Sequence, residues 1–253
     1  MSWPPETTYE WGLLAYFAIC ILTTAVLSFV DAPYGRHNRP GWGPNIPSRA
    51  AWIGMEAPSV LVAAGVFLWY GPENAAMWVL FGVWQVHYIQ RTFIFPFLIK
   101  AKGKTMPLLI AAIAVFYNSF NSWMNMGWVA EYGRYTMEWL QDPRFIAGLT
   151  LFLAGFVVNI KSDKILRDLR KPGETGYKVP KGFLYRYVSC PNYLGELMEW
   201  FGWALMTWSL PGLAFALYTL ANLGPRALAN HRWYKDKFAD YPAERRALLP
   251  FIL

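Results

Sequence analysis

Ionisable side chains interrupt the apolar stretches of this sequence at a few positions, and each interruption is a candidate for chemistry. Glu56 lies in one stretch, and Tyr88 and Arg91 lie in the next. An ionisable group inside a membrane span costs roughly 2.5–3.5 kcal/mol on insertion scales, so its presence indicates a function or a partner. At a rise of about 1.5 Å per helical residue, Glu56 and Tyr88 lie about 10 Å and about 16 Å from the same membrane face, so the two can meet. The structural alternative for Glu56 is a bundle contact with Arg91.

Polar residues also recur at helical spacing in three other segments, which we call the three polar faces. They are Asn159, Asp163, Arg167 and Arg170; Asn192, Glu196 and Glu199; and Arg226, Asn230 and Tyr234. Positions three or four apart share one side of a helix. A single such face is usually solvated. Three of them at one depth, two partly within apolar spans, predict a large polar ligand that enters from one side.

The sequence narrows the way in which such a ligand is held. It has neither the G-x-G-x-x-G pattern of a Rossmann crevice nor the G-x-x-x-x-G-K-[ST] pattern of a P-loop. Any phosphate groups must therefore be bound by cationic side chains, for which arginine forks are well suited. The candidates are Arg91, Arg170, Lys178 and Arg226.

Three asparagines fall on one helical face in a further apolar stretch. Asn118, Asn121 and Asn125 stand at positions i, i+3 and i+7. Asparagines in membrane helices commonly form hydrogen bonds across helices. We favour this role over the lining of a substrate cavity.

The composition identifies the environment in which these residues act. Of 253 residues, 55% are hydrophobic and 15% are charged, whereas a soluble domain carries about 25% charged residues. The net charge of +7 does not indicate a nucleic-acid partner, because fourteen tryptophans and long apolar runs accompany it. Two cysteines and three histidines lack zinc-site spacing, so no metal is expected. The sequence predicts an integral membrane protein with no evident obligatory protein partner.

Seven stretches are candidates to cross the bilayer. They are residues 11–30, 50–70, 75–99, 106–130, 145–160, 193–210 and 212–223. The loops between them alternate in net charge, and loops rich in Lys and Arg are cytoplasmic. This alternation predicts one membrane-embedded domain over residues 1–253, with the N-terminus outside and the C-terminus in the cytoplasm. The predicted fold is an all-α, multi-pass, seven-helix bundle whose polar faces lie in its cytoplasmic half.

The motifs in these spans resemble those of the steroid 5α-reductases. The matching segments are E-A-P at residues 56–58, H-Y-x-x-R-T-F at residues 87–93, and residues 159–174, 187–200 and 231–251. They cover nearly the whole chain in the order of that family. A bacterial member of the family is one option for the identity of the chain. The sequence departs from the family pattern at Met55, where glutamine is usual, and at Asn230, where histidine is common.

The resemblance implies an NADPH-dependent reductase of the Δ4 double bond of 3-oxo-Δ4 steroids, or of a similar α,β-unsaturated ketone. It also implies that Glu56 and Tyr88 contact the carbonyl oxygen of the substrate. Several residues are expected to hold the dinucleotide, because of the resemblance, their charge or their place on a polar face. They are Arg91, Asn159, Asp163, Arg167, Arg170, Tyr177, Lys178, Tyr187, Asn192, Glu196, Arg226, Asn230 and Tyr234. The apolar substrate would enter from the lipid and NADPH from the cytoplasm, in a bacterial inner membrane or a eukaryotic endoplasmic reticulum.

The implied reaction delivers a hydride to the β-carbon and develops negative charge on the ketone oxygen. A donor aimed at that oxygen in a dry site supplies about 2.7–4 kcal/mol of transition-state stabilisation. Tyr88 can donate its phenolic proton. Glu56 can donate when it is protonated, the form that burial in an apolar bundle favours. The proton for the α-carbon comes from water or from a nearby group.

Two alternative functions belong to other classes. The C-terminal segment also resembles the tails of isoprenylcysteine methyltransferases and sterol reductases, and on that segment alone a membrane methyltransferase using S-adenosylmethionine is a rival. The match at Glu56 and Tyr88 favours the reductase. A non-enzymatic membrane protein that binds lipid or sterol is the other alternative, but it leaves the three polar faces without a soluble ligand.

Overall fold

A computed structural model describes residues 7–30, 39–99, 103–169, 174 and 176–252 of the chain. Most of these residues are helical. The α-helices are α1 (Thr8–Phe29), α2 (Ser48–Tyr70), α3 (Ala75–Ile89), α4 (Phe95–Leu98), α5 (Leu108–Gly127), α6 (Pro143–Asp168), α7 (Pro191–Thr207) and α8 (Leu210–Lys237). The π-helical turns are Gln90–Ile94 and Trp128–Tyr132, and the 3₁₀ turns are Met137–Gln141 and Phe183–Arg186. Two strands, β1 (Asn45–Pro47) and β2 (Thr105–Pro107), pair antiparallel.

The seven predicted stretches all fall on helical segments, with three departures in detail. The third stretch is not one α-helix, because α3 ends at Ile89 and the chain reaches α4 through a π-helical turn. Helices α6 and α8 are longer than the predicted spans 145–160 and 212–223, since both continue beyond their apolar parts into charged sequence. The all-α prediction missed β1 and β2, because three residues are too few to show a period-2 pattern.

Three helices, α1, α2 and α6, are long and apolar enough to cross a membrane. Large apolar side chains on these helices point outward, among them Phe29, Trp69 and Val157. A soluble monomer rarely exposes apolar surface on this scale. The chain is therefore a membrane protein.

Capping side chains mark where several helices begin. Thr7 forms a capping box with Glu10 at the start of α1. Asn74, Asp142 and Ser209 accept hydrogen bonds from the first N–H groups of α3, α6 and α8. These N–H groups have no partner inside the helix, so the caps satisfy them locally.

Two glycine pairs bring α6 and α7 into backbone contact. An added Cβ on Gly155 would lie 2.5 Å from the carbonyl oxygen of Gly195, and one on Gly148 would lie 2.6 Å from that of Gly202. Small residues permit such close approach between membrane helices. The polar residues that follow Gly155 on α6 are thereby held beside those that open α7.

The three asparagines of α5 connect helices through hydrogen bonds. Asn118 donates to a main-chain carbonyl of α2 over 2.6 Å. Asn121 accepts from the hydroxyl of Tyr16 on α1 over 2.5 Å, and Asn125 accepts from the indole of Trp203 on α7 over 2.8 Å. The prediction that these residues bond across helices is confirmed.

Two groups of contacts define the ends of the bundle. At one end β1 and β2 pair just before α2 and α5 begin, and we call this the sheet end. At the far end Asn74, between α2 and α3, donates to the carbonyl of Tyr135 over 2.7 Å. The hydroxyl of Tyr135 donates to the carbonyl of Thr207, the last residue of α7. Helix α7 therefore begins at the sheet end.

The segment after α8 returns to the start of α7. Val188 pairs with Arg246 in an isolated parallel bridge. The N–H of Ser189 donates to the carbonyl of Arg246 over 2.8 Å, and that of Cys190 donates to Ala247 over 3.1 Å. The main chain leading into α7 is thus held by residues 57 positions later in the sequence.

Candidate active site

Two indole hydrogen bonds set the register between α2 and the α3 segment. The indole of Trp84 donates to the carbonyl of Ser59 over 2.8 Å, and that of Trp52 donates to the carbonyl of Arg91 over 3.2 Å. Because the two chains run antiparallel, residues midway between these bonds face each other. Glu56 and Tyr88 occupy those midway positions, so they lie at one level, as the sequence predicts.

Aromatic rings enclose Tyr88, which is only 4% exposed. The rings of Trp84, His87 and Trp200 lie 4.9, 5.0 and 5.5 Å from it, measured between centroids. The hydroxyl of Tyr88 lies beside Ser59 of α2. The phenol is therefore fixed in an apolar cage with its polar end turned toward α2.

Glu56 is half-buried and is directed into the bundle. Its carboxyl group interacts electrostatically with Arg91, Glu196 and His87, and also with Tyr88. Within the described part of the chain, no residue hydrogen-bonds this carboxyl group. Electrostatic interactions are therefore the contacts that the described residues make with this carboxyl group.

Arg91 occupies the π-helical turn after α3 and is 8% exposed. Its Nη1 atom lies 3.4 Å from Oδ2 of Asp163 on α6. Its guanidinium group also lies over the rings of Trp52 and Phe95, at 4.9 and 4.4 Å. Among the described ion pairs, Arg91 has Asp163 as its partner, and its interaction with Glu56 is electrostatic without a described ion pair.

Side-chain amides join the first and second polar faces. The amide of Asn192 donates to Oδ1 of Asp163 over 3.1 Å, and the amide of Asn159 donates to the carbonyl of Asn192 over 3.0 Å. Glu196 is half-buried one turn further along α7 and interacts electrostatically with Arg91. These four residues form one polar cluster with Arg91 near the sheet end.

The third polar face lies on α8, within reach of the same region. The amide of Asn230 is 3.5 Å from the hydroxyl of Tyr193 on α7, and Tyr234 is 4% exposed. Tyr185, which the sequence did not single out, interacts electrostatically with Asp163, Tyr193 and Tyr234. The third polar face therefore contacts α7 next to Asn192, the first residue of the second polar face. Arg226 is part-buried on α8.

Four predicted cofactor residues lie outside this cluster or at its edge. Arg167 is part-buried on α6 and interacts electrostatically with Asp163. Tyr177 packs against Trp233, Lys178 pairs with Glu174, and Tyr187 contacts Phe251. The remaining predicted residue, Arg170, lies outside the described residues. The structure thus assembles Arg91, Asn159, Asp163, Asn192 and Glu196 most closely.

Sequence reasoning missed a buried pair beside this cluster. Nδ1 of His87 lies 2.7 Å from Oε2 of Glu199, and the two residues are 2% and 0% exposed. Two ionisable residues within predicted spans were the available signal. Their pairing depends on how α3 packs against α7, which the sequence does not encode locally.

A second missed network holds the C-terminal segment. The hydroxyl of Ser189 lies 2.6 Å from Nδ1 of His231 and 2.7 Å from the hydroxyl of Tyr241. Burial lowers the pKa of His231, and the cations Lys235 and Arg245 lower it further. The neutral imidazole is therefore favoured in this network, which joins α8 to the main chain leading into α7.

Comparisons with known proteins identify the family of the chain. Residues 104–253 match the family model described as 3-oxo-5-alpha-steroid 4-dehydrogenase. The chain is 43% identical to steroid 5-alpha-reductase DET2 of Gossypium hirsutum, over 98% of both chains. It is 42% identical to 3-oxo-5-alpha-steroid 4-dehydrogenase 1 of Bos taurus, over 95% of this chain and 96% of the relative. The chain therefore belongs to the steroid 5α-reductase family, oxidoreductases that act on CH–CH groups.

Proposed function

We propose that this membrane protein reduces the Δ4 double bond of 3-oxo-Δ4 steroids with NADPH as hydride donor. The observation that carries the proposal is the placement of Glu56 and Tyr88 at one level, beside the Arg91–Asp163–Asn192 cluster. The names of the relatives support the steroid substrate. NADPH and the individual residue roles are part of the proposal.

The residues near the sheet end fit a dinucleotide. Nearby polar atoms are buried without a hydrogen-bond partner among the described residues, namely Oε1 of Gln90 and Oγ of Ser162. The side chains proposed to hold the dinucleotide are Arg91, Asn159, Asp163, Arg167, Arg170, Tyr177, Lys178, Tyr187, Asn192, Glu196, Arg226, Asn230 and Tyr234. Amides and carboxylates suit the carboxamide and ribose groups, and the cations suit the phosphates. When bound, NADPH supplies the hydride.

The protein's contribution to the reaction is made at the ketone oxygen. As the hydride reaches the β-carbon, electron density moves through the former double bond to that oxygen. The hydroxyl of Tyr88 and the protonated carboxyl of Glu56 each donate a hydrogen bond to it. Because the surrounding rings exclude water, such donors are worth more than in solution. A proton from water or from a nearby group then completes the α-carbon.

We also propose the orientation in the membrane. The chain crosses the bilayer seven times, with the N-terminus outside and the sheet end in the cytoplasm. This orientation follows the basic charge of alternate loops. It gives a water-soluble dinucleotide access to the polar faces, while an apolar steroid reaches Glu56 and Tyr88 from the lipid.

The direct test uses the purified protein in detergent with a 3-oxo-Δ4 steroid. We expect NADPH oxidation to match the formation of a product that carries two additional hydrogens on the former double bond, as identified by mass spectrometry. NADH should serve poorly, and S-adenosylmethionine should transfer no methyl group to an isoprenylated cysteine substrate. Methyl transfer without reduction would overturn the proposal in favour of a methyltransferase. Steroid binding without turnover would indicate a binding protein.

A further inference from the structure

The pair formed by His87 and Glu199 has no part in the assignments above. Nδ1 of His87 is 2.7 Å from Oε2 of Glu199, and the side chains are 3% and 0% exposed. The other carboxyl oxygen of Glu199, Oε1, is fully buried and has no partner among the described residues. Replacement of a buried ion pair by well-packed apolar residues of similar volume is often neutral or stabilising. Stabilisation of the fold is therefore a weak explanation for the pair.

The contacts of His87 indicate what the pair holds in place. The imidazole stands nearly perpendicular to the ring of Tyr88, at 5.0 Å and 78°, and to that of Trp200, at 4.6 Å and 66°. Tyr88 in turn stacks on Trp200 at 28°. The rotation of an imidazole about its second side-chain torsion is only weakly restricted by its own rotamers. The hydrogen bond to Glu199 therefore fixes the ring against which Tyr88 packs.

We propose that the His87–Glu199 pair positions the Tyr88 phenol so that its hydroxyl meets the ketone oxygen of the substrate. The inference rests on the proposed function, in which Tyr88 is the hydroxyl donor. His87 acts through Tyr88 and is a positioning residue. A displacement of about 1 Å at a reacting group can lower the rate by about 100-fold, so an orienting contact of this kind has a measurable effect.

Other charged groups also face His87. Glu56 on α2, Arg91 in the π-helical turn and Glu196 on α7 all interact with it electrostatically, while α6 contributes the ring of Phe156 at 6.4 Å. A pair that only joined α3 to α7 would affect stability and leave turnover of the folded enzyme unchanged. A pair that positions Tyr88 affects kcat, and only while the hydroxyl of Tyr88 is present.

The kinetic test compares Glu199→Leu with Glu199→Gln, which keeps an oxygen acceptor for His87. We expect folded, NADPH-binding Glu199→Leu to lose about 10- to 100-fold in kcat with little change in the KM for NADPH, and Glu199→Gln to stay within about threefold of wild type. In a Tyr88→Phe background, Glu199→Leu should lower kcat by less than about twofold further. If Glu199→Leu lowered kcat by the same factor with and without the hydroxyl of Tyr88, the proposal would be overturned. An unchanged kcat in Glu199→Leu alone would also overturn it. Glu73→Leu, which removes an exposed carboxylate, is the matched control.

A second measurement separates this inference from the proposed function. Fluorotyrosine is placed at position 88, and its fluorine NMR signal is recorded without substrate in wild type, Glu199→Gln and Glu199→Leu. We expect one narrow signal in the first two proteins and a shifted or broadened signal in Glu199→Leu. An unchanged signal in Glu199→Leu would overturn the positioning role. If wild type reduces no steroid, the proposed function fails, yet the fluorine signal still decides whether the pair orients Tyr88.

Discussion

Arg91 and Asp163 connect the π-helical turn after α3 to α6, with Nη1 and Oδ2 3.4 Å apart and the two side chains 9% and 10% exposed. Asp163 also accepts a hydrogen bond from Asn192 at the start of α7. One carboxylate therefore joins three elements around the candidate active site. At 3.4 Å the ion pair is too long to contribute much net stability. Removal of either residue, however, would leave the charge of the other buried without its partner.

Removing one partner of this pair should be costly. We expect Arg91→Met to destabilise the fold by about 3–5 kcal/mol, because Asp163 is left as an unpaired buried charge. Thermal unfolding in detergent measures the loss. The double variant Arg91→Met, Asp163→Leu is the control and should recover part of the stability, since the charge of Asp163 is then no longer buried without its partner. Equal melting temperatures for wild type and Arg91→Met would contradict the importance of the pair.

The catalytic roles proposed for Tyr88 and Glu56 can be separated from packing with conservative variants. We expect Tyr88→Phe to lower kcat by about 10²–10³ while leaving NADPH affinity nearly unchanged, because only the hydroxyl is lost. Glu56→Gln keeps an N–H donor of similar volume and should retain more activity than Glu56→Leu. Turnover of a 3-oxo-Δ4 steroid by folded variants is the measurement. Wild-type rates in both Tyr88→Phe and Glu56→Leu would exclude these roles.

The backbone contact between α6 and α7 should tolerate no added methyl group. A Cβ on Gly155 would lie 2.5 Å from the carbonyl oxygen of Gly195 and 2.7 Å from the main-chain nitrogen of Glu199. We expect Gly155→Ala to cost about 1–3 kcal/mol, since rigid backbone must move. Gly65→Ala is the control, because a Cβ there meets nothing within 4 Å. Similar melting temperatures for the two variants would argue against the close contact.

The cap of α6 should make stability depend on acid pH. Hydrogen bonds from the side chain and the main-chain N–H of Arg144 lower the pKa of Asp142 to about 2 from its ordinary 3.8. A lowered carboxyl pKa stabilises the fold above about pH 4, and this contribution is lost as the pH falls toward about 2. Asp142→Asn keeps a capping oxygen without the charge. The melting temperature of Asp142→Asn should therefore lie below that of wild type at about pH 4, and the difference should shrink toward about pH 2. A difference that stays constant would contradict the lowered pKa of Asp142.

The proposed orientation places two exposed loop residues on opposite sides of the membrane. Glu73 follows α2 and should lie outside, whereas Lys181, in the loop after α6, should lie in the cytoplasm. Single-cysteine variants at these positions are labelled with an impermeant reagent in sealed vesicles of known orientation. The native thiols of Cys20 and Cys190 are buried and give little background. Labelling of both positions from the same side would refute the seven-span arrangement.

Apolar length and polar periodicity predicted the helices and the three polar faces, because both signals are local. Rise per residue predicted similar depths for Glu56 and Tyr88, about 10 Å and about 16 Å from one face, and the two indole hydrogen bonds bring them to one level. The ion pair of Arg91 with Asp163 could not be predicted from the sequence, because it depends on how α6 packs against the segment after α3. The pairing of His87 with Glu199, and the interactions of Tyr185 with Asp163 and Tyr234, depend on helix packing as well. Tyr177 and Tyr187 share sequence neighbourhoods with cluster residues, but their side chains pack elsewhere.

The bridge between Val188 and Arg246 has a consequence for biogenesis. The ribosome completes α7 well before it synthesises the segment that holds the main chain leading into that helix. The sheet end of α7 can therefore reach its final form only after Arg246 and Ala247 have left the ribosome. Until then, the N–H groups of Ser189 and Cys190 lack the carbonyl partners that they have in the complete fold.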